Sequence, residues 1–82
     1  MKKLFKAMKN YEWFENVMLS RTKELIMFHY HNNKYCLYLL PSGRTQLIDF
    51  ESANVTVANY PDENITLYDL LTDINYKMGG TV

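Results

Sequence analysis

The chain has 82 residues, 48% of them hydrophobic and 15% aromatic, with nine basic and nine acidic side chains and a net charge of zero. That apolar fraction excludes a disordered chain, and the length suits a single small α+β domain that buries only about two-thirds of its unfolded surface. One cysteine, Cys36, excludes an internal disulfide and a multi-cysteine metal site and points to a reducing compartment.

Lys2 and Lys3 open the chain as a signal peptide would. Lys6 and Lys9 then interrupt the apolar stretch, and no small-residue cleavage site follows. No window approaches the roughly 18 consecutive apolar residues of a membrane span. The expectation is a cytoplasmic protein with no membrane contact. Asn54-Val55-Thr56 and Asn64-Ile65-Thr66 match the glycosylation triplet, and without secretion they read as chance matches. The zero net charge hides an asymmetry. Residues 1–44 carry eight Lys/Arg against three Glu, and residues 45–82 carry one Lys against six Asp/Glu. Two such halves can present opposite charges to partners, or lie side by side and neutralise each other.

In chain order, residues 2–11 predict a short basic helix with Leu4, Phe5, Met8 and Tyr11 opposite Lys2, Lys3, Lys6 and Lys9. Residues 12–19 either continue that helix or form a strand hairpinned to 24–31 through Ser20–Lys23. The strand is preferred. It sets Trp13 beside Tyr30 and Val17 beside Ile26, but also Glu15 beside Phe28 on the apolar face.

Residues 24–31 and 34–40 predict two strands joined at Asn32-Asn33, because Asn tolerates the positive φ of a two-residue hairpin turn. That turn pairs Tyr30 with Tyr35, Phe28 with Leu37 and Ile26 with Leu39. A four-residue turn, Pro41-Ser42-Gly43-Arg44, leads to a strand at 45–51 with Ile48 beside Leu37 and Phe50 beside Tyr35. The register is chosen because it keeps one face apolar across three strands. Residues 54–60 add a short strand before Pro61.

The C-terminal helix is predicted at 67–78. Thr66 and Asp69 resemble a capping box, and Ile65 and Leu70 stand at hydrophobic-staple positions. Leu67, Leu70, Leu71, Ile74 and Met78 follow helical spacing, with Gly79 as the left-handed cap. Asp69 and Lys77 suit the helix dipole. The fold class is therefore α+β: a three- to five-stranded antiparallel meander, this helix packed on one face, and a short basic N-terminal helix. The covered face is expected to bear Phe28, Leu37 and Ile48.

On the opposite face this register sets His29, Cys36 and Asp49 in one cross-strand row and His31, Lys34 and Glu51 in the next. Thiol, imidazole and carboxylate are the components of an activated cysteine. The row order is wrong for it, since Asp49 would face the thiol rather than orient the imidazole, and no oxyanion donor is visible. His29 and His31 with Cys36 or Asp49 offer zinc-type donors without a second spaced pair. No catalytic residue, metal or cofactor is therefore expected. Aromatic residues and lysines allow nucleic-acid binding, yet Tyr30, Tyr35 and Phe50 fall on the core face and the net charge is zero.

By exclusion, the sequence predicts a non-enzymatic protein–protein interaction module, an inhibitor or adaptor of a larger protein, or one that pairs with a second copy of itself. Nucleic-acid binding through the N-terminal lysines is the runner-up. The candidate binding residues are Lys2, Lys3, Lys6 and Lys9 at the basic start, and Asp49, Glu51, Asp62 and Glu63 in the acidic half.

Overall fold

The computed structural model describes residues 1–51 and 55–77. Helix α1 (Lys2–Lys9) is followed by strands β1 (Glu15–Leu19), β2 (Leu25–Tyr30), β3 (Asn33–Leu39), β4 (Thr45–Asp49) and β5 (Val55–Tyr60), and then by helix α2 (Leu67–Lys77). The strands form an antiparallel meander in sequence order, with β1 and β5 at its edges. Both helices pack on one face: Leu4 and Met8 of α1 and Leu70 and Ile74 of α2 share a buried cluster with Ile26, Phe28, Tyr35, Leu37 and Leu47. The predicted fold class is the observed one.

Helix α2 starts where the capping residues place it. The Thr66 hydroxyl accepts the Asp69 amide at 3.1 Å, and the Asp69 carboxylate accepts the Thr66 amide at 3.2 Å. Two amides at the helix start that would otherwise lack partners are thus satisfied reciprocally, with Asp doing the work usually given to Glu. Ile65 and Leu70 are both buried, as a staple requires. Met78, Gly79 and Asn54 lie outside the described residues.

The registers differ from the expected ones at each of the first three strand pairings, and each difference has a local cause. The β2–β3 turn is His31-Asn32, not Asn32-Asn33, with φ of +52° and +62° at the two residues. Positive φ at both centres is the signature of the type I′ turn that matches strand twist. Asn33 is thereby left in the strand, where its Nδ2 donates to Asp49 Oδ2 at 3.0 Å. The pairs become Tyr30–Asn33, Phe28–Tyr35 and Ile26–Leu37. Moving the turn centre by one residue changes each partner by two, so the apolar face survives.

The β3–β4 turn changes more. Leu40 and Arg44 still pair, through the Leu40 amide and the Arg44 carbonyl at 2.8 Å, so the loop is Pro41-Ser42-Gly43 alone. Gly43, at φ +92°, takes the left-handed position that a three-residue hairpin loop needs. One loop residue fewer shifts the register by one and exchanges the faces of β4. Leu37 therefore pairs with Leu47, Cys36 with Ile48 and Tyr35 with Asp49. Leu47 and Asp49 point to the helix side, and Phe50, expected in the core, is exposed.

In β1 the correction comes from a bulge. Glu15 opposes His29 and Leu19 opposes Ile26, with the register slipping between Glu15 and Met18. Asn16 sits at φ +52° there. The inserted residue lets Glu15 face solvent while Val17 and Leu19 pack on the core, removing the conflict of a glutamate beside Phe28. Trp13 is 60% exposed; Phe14 is the buried aromatic, 5.0 Å from the ring of Phe28 and 5.3 Å from that of Tyr30.

Candidate functional site

The row His29–Cys36–Asp49 does not form. Cys36 stands between Met27 and Ile48, His29 opposes Lys34, and Asp49 lies on the other face of the sheet. Burial pushes the Cys36 thiol up to about 11, against a small lowering by Lys34, so at neutral pH it is a thiol. The row His31–Lys34–Glu51 is absent as well, because His31 belongs to the turn. Among the described residues, no group of three His, Cys, Asp or Glu side chains could hold a metal ion.

The eight candidate binding residues are not brought together. Asp49, expected at the surface, is 3% exposed. Its Oδ2 accepts from Asn33 and its Oδ1 accepts the Glu51 amide at 2.9 Å, so it ties the β2–β3 hairpin to the chain leaving β4. Glu51 is exposed in that turn. Asp62 and Glu63 lie in the connection from β5 to α2, where Asp62 accepts the Asn64 amide at 2.8 Å. Glu63 forms an ion pair with the Met1 ammonium, so the basic and acidic halves of the chain meet there.

Lys2, Lys3, Lys6 and Lys9 are all exposed on α1, opposite the buried Leu4 and Met8, as amphipathic spacing predicts. The Lys9 ammonium stands 5.6 Å from the centre of the Phe5 ring. Lys2, Lys3 and Lys6 rim a cleft of about 510 Å³ between α1 and β1, whose floor is Phe5 and Leu19.

The most distinctive surface was missed by the sequence reading. Among the described residues no element covers the face of the sheet opposite the helices. Across it run Met18, Met27, Cys36 and Ile48, one from each of four adjacent strands. Leu25 and Tyr38 flank this row on one side, and Phe50 beside Lys34 flanks it on the other, with the Lys34 ammonium 5.4 Å from the ring centre. Met18 is 63% exposed, Tyr38 44% and Phe50 43%. Adjacent strands are about 4.8 Å apart, so the row is roughly 15 Å long. The alternation Leu25-Met27 and Cys36-Tyr38 carried part of this signal, but Ile48 and Phe50 had been placed on the wrong face.

A third feature is a cleft of about 380 Å³ where β5 meets α2. Tyr60 closes it by donating to Asp73 Oδ2 at 2.6 Å. Burial, then that hydrogen bond and the Asp73 and Asp69 charges, raise the Tyr60 hydroxyl well above its ordinary range.

Comparison with protein families, with curated proteins and with solved structures finds no match to this chain. Among the described residues, no helix is long and apolar enough to cross a membrane.

Proposed function

We propose that this chain is a non-enzymatic, cytoplasmic protein-interaction module, an inhibitor or adaptor, that receives its partner on the uncovered face of the sheet. One observation carries this reading: both helices lie on the same side, leaving Met18, Tyr38 and Phe50 exposed and Leu25, Met27 and Ile48 half-buried on the other face, around a buried Cys36. Contiguous apolar surface on a small protein marks a contact site, and Met and Tyr are residue types that interfaces favour. Methionine also adapts its shape to a partner at low cost.

The exposure of Phe50 and Tyr38 together with Lys34 favours a second reading, a nucleic-acid platform on which bases stack. The protein reading is preferred because the centre of the face is Met and Ile, and the α1 lysines stand on the opposite side of the sheet. The test is capture from the native host by the wild-type chain and by a Met27→Lys/Ile48→Lys variant of unchanged secondary structure, with light scattering for self-association. A protein or second copy lost from the variant supports the proposal. Binding confined to single-stranded nucleic acid, and abolished by Phe50→Ala, would replace it with the second reading.

A further inference from the structure

The cleft between α1 and the edge strand β1 has a chemistry of its own, separate from the uncovered sheet face. Its floor is apolar, made of the half-buried Phe5 and Leu19, and its rim is Lys2, Lys3 and Lys6. No acidic side chain lines it. Among the described residues, none of these three ammonium groups is ion-paired; the carboxylate at this end of α1, Glu63, is taken by the Met1 ammonium. Three like charges around an apolar strip repel one another, and that repulsion is relieved by carboxylates brought in from outside. The cleft is also held in place, because Leu4 and Met8 are 5% and 0% exposed and fix α1 to the core.

We infer that this cleft is a second docking site, and that its occupant is an extended acidic segment of a partner protein carrying apolar anchors between its carboxylates. The anchors lie on Phe5 and Leu19, and the carboxylates meet the lysine heads, whose stems cover the apolar floor. An extended segment suits the place because β1 is a terminal strand of the sheet, and a terminal strand has one side without a strand partner. Nucleic acid fits less well. The aromatic ring in the cleft, Phe5, is half-buried, and the exposed Tyr38 and Phe50 are on the far face of the sheet, so bases stacked there would leave their phosphates away from Lys2, Lys3 and Lys6. A lipid surface fits less well again, since the apolar side of α1 is already buried against the protein's own core.

The inference is tested with the full chain and a fluorescein-labelled peptide alternating glutamate with leucine and phenylalanine. Polyglutamate, a single-stranded oligonucleotide and phosphatidylserine vesicles serve as competing probes. The alternating peptide is expected to bind more tightly than all three, to shift the NMR signals of Phe5 and Leu19, and to weaken as salt rises. Lys2→Gln with Lys6→Gln should weaken it about five- to tenfold, the loss of two exposed charge pairs, with the melting temperature unchanged. Tyr38→Asp, on the other face, should leave it unaltered, which separates failure of this site from failure of the sheet-face reading. Absence of peptide binding, equal binding of polyglutamate, tighter binding of oligonucleotide or vesicles, or indifference to the lysine changes would each overturn the inference.

Discussion

Tyr60, the last residue of β5, donates its phenolic hydrogen to Asp73 of α2 at 2.6 Å. It is a side-chain bond between the C-terminal helix and the edge strand it packs beside. The raised Tyr60 pKa makes it a pH-sensitive one. The unfolded chain loses that proton near pH 10, whereas the folded chain holds it to higher pH. The bond's contribution is therefore complete below about pH 10 and is lost as pH rises further. Thermal melting followed from pH 8 to 11 should show a decline beginning near pH 10, and Tyr60→Phe should remove part of it. At pH 7 the same substitution should cost about 1 kcal/mol, because the site is partly open to solvent.

Gly43 occupies φ +92° with nothing within 4 Å of where a Cβ would stand. Gly43→Ala is therefore expected to cost about 1–2 kcal/mol from backbone conformation alone, read as a fall in melting temperature. Inserting a residue between Ser42 and Gly43 tests something larger. If the hairpin keeps its three-residue loop, Gly43 moves into the place opposite Leu40, β4 slips by one, and Ile48 is driven toward the core while Leu47 turns outward. Loss of cooperative unfolding is the expected result. A fully native melt would mean that the loop absorbs the insertion and that β4 holds its register without it.

Leu70 and Ile74 are fully buried against the sheet, whereas Leu71 is half-buried. Leu70→Ala should cost about 2–4 kcal/mol by chemical denaturation, a large part of a small domain's stability. Leu71→Ala should cost less than half as much. Equal effects would mean that the helix is rotated about its axis from the observed orientation.

Cys36 is 1% exposed and its thiol is shifted up to about 11. Iodoacetamide at pH 7.5 should modify the native chain at least 100-fold more slowly than the unfolded one, since the reactive species is the thiolate. Because the raised pKa favours the thiol in the fold, this contribution to stability is present below about pH 8.5 and is lost as pH rises toward 11. Cys36→Ser should cost about 1–2 kcal/mol for a buried hydroxyl and leave partner binding intact. Rapid native alkylation would show that the sheet face opens more readily than its packing implies.

The features legible in the chain itself were those settled within one turn of helix or one strand. The Thr66–Asp69 box, the Ile65–Leu70 staple and the Leu4/Met8 side of α1 depend on residues three to five apart, so their spacing is enough to place them. The strands were legible too, as was the parity of Phe28, Tyr35 and Leu37, which a turn moved by one residue cannot change. What only the tertiary structure decided is which side of β4 meets the core. Leu47 and Ile48 are adjacent and both aliphatic, with Asp49 and Phe50 following, so either face of that strand can be written as the apolar one. The choice falls to a loop that closes with three residues instead of four, because Gly43 accepts the left-handed position. With a side-chain period of two, that one-residue difference buries Asp49 against Asn33 and turns Ile48 and Phe50 outward onto the open face of the sheet.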